Sequence, residues 1–346
     1  MSRTVFLHIG MPKCATTTIQ DYLKDNTDAL RTAGLHYGFH PDDTTTDQGN
    51  CALLVAALYG EKFDRVEVLL DHLLDGDGDV ILSSELFIGL GRSLLGQRLI
   101  QSIRSRGFDV RIICYMRRQD LWIESDYKQH IKGGGPWLDD IQTLMDFRAE
   151  KKVLNYTWAL KTWARYIDES AIIVEPLVPG RPEDAAVRRF LIHVGATALA
   201  AGPITVTSSN VSPPTGLIEP ARFLKRAWLH RGLSLEAATV RIHEFFDTAP
   251  GVIEVPQRRF LLPHRKRARL VRIHARINAA LAQDFLGGQA PFEDVVQEDA
   301  ASEVDLAQEA GDLLAQYLLA TEAPSRYRDL LQSGLRRVSR SLPRRS

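Results

Sequence analysis

The sequence is poor in cysteine and contains no long hydrophobic run. Its 346 residues include three cysteines, Cys14, Cys51 and Cys114, and no two of them form a CxxC pair. An odd and low count argues against a disulfide framework and against a zinc site, and it is typical of a reducing compartment. The longest apolar run, residues 51–59, is about half as long as a membrane-spanning helix requires. The stretch before Gly10 is too short for the hydrophobic region of a secretory signal. We therefore expect a soluble, cytoplasmic protein without a transmembrane segment.

The chain also lacks an excess of either charge, because 43 Lys and Arg residues balance 43 Asp and Glu residues. A generally basic nucleic-acid-binding protein would not show this balance, so we expect no specific nucleic-acid partner. The charges are nevertheless segregated. Residues 258–276 hold eight basic and no acidic residues, and residues 293–312 hold eight acidic and no basic ones. The basic block could attract a polyanion or help to hold a phosphate, but we favour pairing between the two blocks. Five arginines in residues 335–346 could contact an anionic membrane surface.

No internal repeat or low-complexity segment is visible, and strand-like and helix-like stretches alternate through the first half. This alternation predicts an α/β fold with a central parallel sheet flanked by helices. Predicted strands are residues 4–9, 80–82, 110–116 and 171–175. Predicted helices are residues 16–30, 94–103, 120–132, 153–166 and 185–194, followed in the second half by 214–229, 264–285 and 302–319. We expect one domain over residues 1–324, with an α/β nucleotide-binding core (1–200) and a helical part (201–324). A basic, mobile tail is expected at 325–346.

The first candidate site is the loop between the first predicted strand and helix, HIGMPKCATTT. Such a loop directs backbone N–H groups and the positive end of a helix dipole at one place, and so binds an anion. Lys13 adds a positive charge, and Thr16, Thr17 and Thr18 add hydroxyl donors. The loop is not a Walker A motif, GxxxxGK[ST], because Lys13 precedes Thr16 by three residues and Ala15 occupies the place of the second glycine. The alternative is an ordinary helix start with a surface lysine.

These residues resemble the 5′-phosphosulfate loop of sulfotransferases that use 3′-phosphoadenylyl sulfate (PAPS), whose pattern is roughly PKxGTT after the first strand. Pro12, Lys13, Thr16 and Thr17 match the pattern, whereas Ala15 replaces the usual glycine and would narrow the loop if that position needs a positive φ. The resemblance implies that Lys13 contacts the bridging oxygen and the sulfuryl group, while Thr16 and Thr17 hold the 5′-phosphate. The residues expected to bind the cofactor here are Pro12, Lys13, Cys14, Ala15, Thr16, Thr17 and Thr18.

The second candidate site follows the third predicted strand, in the segment MRRQDLWIES. Ligands of open α/β sheets bind at the carboxyl ends of the strands, and an arginine with a nearby hydroxyl suits a phosphate. Arg117 followed eight residues later by Ser125 is similar to the 3′-phosphate site of the same sulfotransferases. Arg118 is an alternative ligand, although the spacing favours Arg117. The other interpretations are a surface ion pair between Arg117 and Asp120, and a solvent-facing Ser125.

A candidate general base follows the second predicted strand, in ILSSEL. Sulfotransferases often carry a histidine or glutamate base at this position, so the resemblance makes Glu85 the first candidate. A carboxylate is ionised at pH 7, and general-base catalysis typically contributes about 10²- to 10⁴-fold. Alternatively, Glu85 lies in the first turn of a helix capped by Ser84. His36 is the second candidate for the base.

The resemblance extends over roughly residues 3–290 and implies a P-loop-type sheet with a helical C-terminal part. It implies transfer of the sulfuryl group of PAPS to a hydroxyl acceptor, expected to be a glycan or glycolipid, with 3′,5′-ADP as product and no metal. Two other functions stay open. One is a P-loop phosphotransferase or ATPase, and the other is a non-catalytic protein that binds a nucleotide and a polyanion.

Overall fold

The computed structural model describes residues 2–44, 48–206, 212–299 and 303–322. The predicted tail at 325–346 lies outside the described residues. The chain divides into two compact units. The first comprises the described residues of Met1–Trp122, Arg148–Asn210 and Arg269–Val295, and the second those of Ile123–Phe147, Val211–Ala268 and Val296–Ser346.

The first unit is built on a five-stranded parallel sheet. Its strands are β1 Arg3–His8, β2 Leu35–His36, β3 Asp79–Ser83, β4 Phe108–Arg117 and β5 Ile172–Leu177. The strand order is β2-β3-β1-β4-β5, and every neighbouring pair is parallel. The central strand β1 is fully buried at Val5 and Leu7, as expected for an apolar strand covered on both faces. The predicted α/β class, a parallel sheet flanked by helices with a helical C-terminal part, is confirmed.

The predicted helices are found, most of them with different bounds, and the described residues contain five further α-helices that were not predicted. In chain order the α-helices are α1 Thr16–Asp25, α2 Thr27–Thr32, α3 Ala52–Tyr59, α4 Phe63–Leu73, α5 Leu94–Arg104, α6 Gln119–Lys132, α7 Ile141–Glu150, α8 Tyr156–Trp163, α9 Ala185–His193, α10 Thr197–Ala201, α11 Ile218–His230, α12 Leu235–Val252, α13 His264–Phe285 and α14 Leu306–Glu322. Short 3₁₀ helices are Glu85–Arg92, Glu169–Ala171 and Thr215–Leu217.

Two predicted helices in the first unit are shorter than expected. The helix predicted at 16–30 is interrupted at Asn26, whose φ is −122°. The Asn26 side chain donates to the carbonyl of Tyr22 (2.8 Å) and so competes with the helical ladder. The helix predicted at 153–166 begins only at Tyr156, because Asn155 caps it by accepting from the N–H of Trp158 (3.0 Å).

Buried charged side chains hold the second unit together. Lys225 is fully buried, and its ammonium donates to the carbonyls of His130 (2.9 Å), Gly133 (3.0 Å) and Gly135 (2.7 Å). These carbonyls lie at the end of α6 and just beyond it, where helical partners are missing. The lysine therefore takes the place of a C-cap, and it fixes the glycine-rich segment that follows α6.

The basic and acidic blocks are bonded to each other within the second unit. The Arg258 guanidinium donates to the Glu309 carboxylate, and Asp299 accepts from the backbone N–H of Arg259 (2.8 Å). Glu303 accepts from the N–H of His264 (2.7 Å). For these residues the predicted pairing of the two blocks is confirmed.

Candidate functional site

The loop between β1 and α1 is fastened to the end of β4. Met11 donates its N–H to the carbonyl of Tyr115 (3.2 Å), and Tyr115 donates its own to Gly10 (3.2 Å), so the pairing of the two strands continues past β1. The Trp122 indole donates to the carbonyl of Pro12 (2.7 Å). The loop is therefore held at the carboxyl edge of the sheet, where ligands of open α/β folds bind.

Two residues of this loop adopt the left-handed conformation without being glycine. The φ of Lys13 is 63° and that of Ala15 is 62°, a conformation that costs an L-residue about 1–2 kcal/mol. Left-handed Ala15 followed by helical Thr16 directs successive N–H groups to one side, which is the geometry of an anion-binding nest. Ala15 is also the N-cap of α1, and its methyl group cannot bond to the N–H groups of the first turn. The N–H groups of the first turn therefore have no cap from the Ala15 side chain, and a backbone of this geometry is able to bind an anion.

Glu85 lies directly against the same loop. Its carboxylate accepts a hydrogen bond from the Thr16 hydroxyl at 3.0 Å. Gly10, with φ 82°, approaches so closely that a Cβ there would lie 2.7 Å from the Glu85 Cα. Ser84 caps the 3₁₀ helix Glu85–Arg92 by accepting from the N–H of Leu86 (3.3 Å). Glu85 thus lies both in the first turn of a capped helix and at the candidate site, and Thr16 uses its hydroxyl to orient it.

Arg117 is the last residue of β4, and it lines a cleft of 170 Å³ together with Ala15. The end of β5 and the start of α9 complete the walls. Arg181 and Arg189 add positive charge to this cleft, and Glu175 and Glu183 add negative charge. The Glu175 carboxylate accepts from Arg189 (3.1 Å) and from His193 (2.8 Å), so it is already neutralised by its own partners. With Arg117 included, three basic and two acidic side chains line the cleft.

Cys14 and Arg118 are part of the protein framework. Cys14 is fully buried, and burial raises the pKa of its thiol to about 12, although it accepts from the backbone N–H of Arg117. Arg118 donates to both oxygens of Asp120 (2.7 and 3.0 Å) and to the carbonyls of Glu293 (2.9 Å) and Val295 (2.7 Å). Because its guanidinium is already hydrogen-bonded to these four oxygen atoms, Arg118 is not available to bind a phosphate. The ion pair with Asp120 belongs to Arg118 and not to Arg117.

His36 is a predicted site residue that is not brought to the loop. His36 is paired with Val80 at the start of β3, three residues or roughly 10 Å before Ser83. Its ring packs so closely on Gly76 that a Cβ there would lie 2.1 Å away, and burial lowers its pKa. His36 therefore lies towards the amino edge of the sheet. Ser125 is half-buried on α6 and belongs to the second unit, whereas Arg117 belongs to the first.

A buried polar network beneath the loop was not predicted from the sequence. Ser83 Oγ lies 2.8 Å from Nδ1 of His8 and accepts from Gln20 (2.9 Å). The N–H of Ser83 donates to Asn50 (2.8 Å). The network joins β1, α1 and β3 at the point where the loop begins. Gln20, a single amide between the apolar positions of α1, is the signal that could have indicated it.

Within the described residues, no helix is long and apolar enough to cross a membrane. The same residues contain no group of three or more His, Cys, Asp or Glu side chains arranged to hold a metal ion.

Comparison with known proteins gives one short similarity. No family model matches the chain, and no solved structure matches it. An "Uncharacterized protein" from Archaeoglobus fulgidus is 35% identical over 96 residues, which are 28% of this chain and 24% of the relative. The alignment thus spans about a quarter of that protein's length, and it assigns no activity.

Proposed function

We propose that this chain is a PAPS-dependent sulfotransferase of P-loop type. The observation that carries the proposal is that Ala15, from the loop after β1, and Arg117, at the end of β4, line one cleft. In the strand order, the connection after β1 leads towards β2 at one edge of the sheet and the connection after β4 leads to β5 at the other edge. Neighbouring strands whose connections diverge form the crevice in which nucleotides bind. The resemblance of residues 8–18 to the 5′-phosphosulfate loop supports PAPS as that nucleotide.

In this proposal the loop binds the 5′-phosphosulfate and Arg117 binds the 3′-phosphate. The backbone N–H groups of the first turn of α1 and the hydroxyl of Thr17 contact the 5′-phosphate. The Lys13 ammonium lies against the bridging oxygen. Ser125 is proposed as a second ligand of the 3′-phosphate, and only the resemblance supports this role. The acceptor class, a glycan or glycolipid, and a cytoplasmic location belong to the same proposal.

The reaction is an in-line transfer. The acceptor hydroxyl oxygen forms a bond to sulfur while the bond from sulfur to the 5′-phosphate oxygen breaks, and that oxygen leaves with the electron pair. Glu85, oriented by Thr16, takes the acceptor proton. Lys13 and the N–H donors stabilise the charge that develops on 3′,5′-ADP.

The contact between Thr16 and Glu85 also favours a second candidate. In P-loop nucleotide hydrolases a hydroxyl at the start of the helix and a carboxylate at the end of a neighbouring strand hold Mg²⁺. Thr16 and Glu85, 3.0 Å apart, have this relationship. The position of Lys13, three residues before Thr16 instead of directly before it, favours the sulfotransferase over the phosphotransferase.

The first experiment compares thermal stabilisation of the chain by 3′,5′-ADP, ADP and Mg·ATP. A ligand at about 100 times its Kd contributes about 2.7 kcal/mol, so we expect a clear rise in Tm with 3′,5′-ADP and a smaller one with ADP. Arg117→Gln should reduce the effect of 3′,5′-ADP to that of ADP. Arg111→Gln, at an exposed position of the same strand, is the matched control and should change nothing.

The opposite result in this experiment would contradict the proposal. If Mg·ATP stabilises the chain and 3′,5′-ADP does not, the phosphotransferase is the better assignment. Glu85→Gln separates the two chemistries, because it should weaken Mg·ATP binding in a phosphotransferase and leave the metal-independent binding of 3′,5′-ADP intact in a sulfotransferase.

A further inference from the structure

A surface of aromatic and cationic side chains, in which Tyr59 and Arg92 are exposed and Trp158 is half-buried, lies in the first unit along the 3₁₀ helix that begins at Glu85. It is formed by Tyr59, Arg92, Lys152 and Trp158, and we call it the Trp158 surface. The Arg92 guanidinium lies 4.6 Å from the centroid of the Trp158 ring, and the Lys152 ammonium lies 5.7 Å from it. Two cationic groups thus lie close to one indole ring, and cation–π attraction stabilises this arrangement.

The two cations of the Trp158 surface are not neutralised by acidic side chains. Among the described residues, no carboxylate lies within 4.0 Å of Arg92 or Lys152. The neighbouring Lys151, in contrast, is paired with Glu150 at 3.2 Å. Arg92 is partly desolvated, and burial lowers its pKa. The surface therefore attracts an anionic group, and an aromatic face lies directly beside the charges.

The 3₁₀ helix Glu85–Arg92 connects the Trp158 surface to Glu85, the candidate base. Tyr59, which is 52% exposed, donates its hydroxyl to the carbonyl of Leu86 (3.3 Å), next to Glu85. Arg92 ends the 3₁₀ helix that Glu85 begins. Seven steps of a 3₁₀ helix at about 2.0 Å each cover roughly 14 Å, a length that a short oligosaccharide spans.

Close packing keeps this element in place. Gly91 approaches α8 so closely that a Cβ there would lie 2.6 Å from the Trp163 ring. The 3₁₀ helix and α8 therefore hold Arg92 and Trp158 in a fixed relation. Preformed aromatic faces with polar surroundings suit ligands that have both apolar and hydroxyl-bearing faces, as sugars do.

We propose that the Trp158 surface binds the acceptor of the transfer reaction, and that this acceptor is an anionic oligosaccharide. Its sugar rings pack on the exposed ring of Tyr59, its acidic groups contact Arg92 and Lys152, which the Trp158 ring holds in place, and a hydroxyl group further along the chain reaches Glu85. This inference rests on the proposed function, because it names the substrate class of the same site.

The test uses the full chain and two tetrasaccharides of equal length. Hyaluronan tetrasaccharide carries carboxylates and tetra-N-acetylchitotetraose is neutral, and binding of each is measured by titration calorimetry. We expect hyaluronan tetrasaccharide to bind more tightly than tetra-N-acetylchitotetraose. Arg92→Gln and Lys152→Gln should each weaken its binding by about three- to tenfold, as expected for the loss of one charge-assisted contact.

Two matched variants control for general electrostatics. Arg98→Gln removes another exposed arginine that lies over a ring, that of Phe63 at 3.6 Å, and Lys151→Gln removes the neighbouring lysine. Both should bind hyaluronan tetrasaccharide as the unaltered chain does. Equal losses in these controls would overturn the inference, and so would equal binding of the two tetrasaccharides. Tighter binding of inorganic polyphosphate than of hyaluronan tetrasaccharide would also overturn it, because the surface would then recognise negative charge and not the sugar.

The same samples separate this inference from the proposed function. The Tm of each variant with and without 3′,5′-ADP reports whether the nucleotide site is intact. Stabilisation by 3′,5′-ADP without any effect of Arg92→Gln or Lys152→Gln refutes the acceptor surface and leaves the sulfotransferase proposal standing. Oligosaccharide binding that depends on Arg92, without stabilisation by 3′,5′-ADP, supports the surface and refutes the nucleotide assignment.

Discussion

Ala15 is the residue at which the loop departs from the sulfotransferase pattern, and the structure shows the physical consequence. A glycine could adopt its φ of 62° without a steric cost, whereas alanine places its Cβ against the backbone. The chain retains the left-handed conformation despite the methyl group. This strained conformation lies where Ala15 lines the cleft and begins α1 without a side-chain cap.

Ala15→Gly should therefore stabilise the protein, by about 1 kcal/mol after the extra entropy of the unfolded glycine is subtracted. The measurement is urea unfolding of the variant beside the unaltered chain. Ala33→Gly is the control, because Ala33 is exposed and has an ordinary φ of −83°. That change should cost up to about 1 kcal/mol. Destabilisation of equal size by both substitutions would show that Ala15 is not strained.

The sequence predicted which polar and charged residues follow a strand. It did not predict which of the candidate residues lie at the carboxyl edge of the sheet. Thr16 and Glu85 follow strands β1 and β3, which are neighbours in the sheet, and they meet as expected for parallel strand ends. His36 lies in a two-residue strand, too short to produce an alternating pattern. Its pairing with Val80, which places it at the other edge, depends on tertiary contacts that no local pattern encodes.

At the scale of elements, β5 extends further than the strand predicted at residues 171–175. The strand continues through Pro176 to Leu177, and Pro176 pairs with Met116. Proline lacks the N–H needed by a strand bonded on both sides, but β5 is an edge strand with β4 as its neighbour. Proline is therefore accepted within β5 because of the position of this strand in the sheet, which the local sequence does not show.

The packing of the 3₁₀ helix on α8 yields a prediction at the same scale. Gly91→Ala would place a methyl group 2.6 Å from the Trp163 ring and 2.7 Å from the Thr162 hydroxyl. We expect a loss of about 1–3 kcal/mol, the usual cost of overpacking, together with weaker binding of hyaluronan tetrasaccharide.

The control for Gly91 is a helical glycine with room for a methyl group. Gly311 lies inside α14, and a Cβ there meets nothing within 4 Å. Gly311→Ala should stabilise the protein by about 0.5–1 kcal/mol, since alanine favours the helix. Chemical unfolding measures both variants, and a neutral Gly91→Ala would show that the two elements are not in close contact.

For the molecule as a whole, buried histidines link stability to pH. Burial lowers the pKa of His8 to about 3, and it also lowers the pKa values of His36 and His274. The unfolded chain, with histidine pKa values near 6.5, binds more protons than the folded chain below that pH. Stability is therefore complete above about pH 6.5 and falls as the pH decreases towards 3.

His8 should contribute most to this acid sensitivity, because it is fully buried at the centre of the sheet. Between pH 6.5 and pH 5 its share is about 2 kcal/mol, at about 1.4 kcal/mol per pH unit. His8→Gln removes the titration, so urea unfolding near pH 7 and near pH 5 should differ by about 2 kcal/mol less in the variant than in the unaltered chain. His243→Gln, at an exposed position of α12, should leave the difference unchanged. If His8→Gln keeps the full pH dependence, His8 accepts a proton in the folded state, and the acid sensitivity arises from His36, His274 or the carboxylates instead.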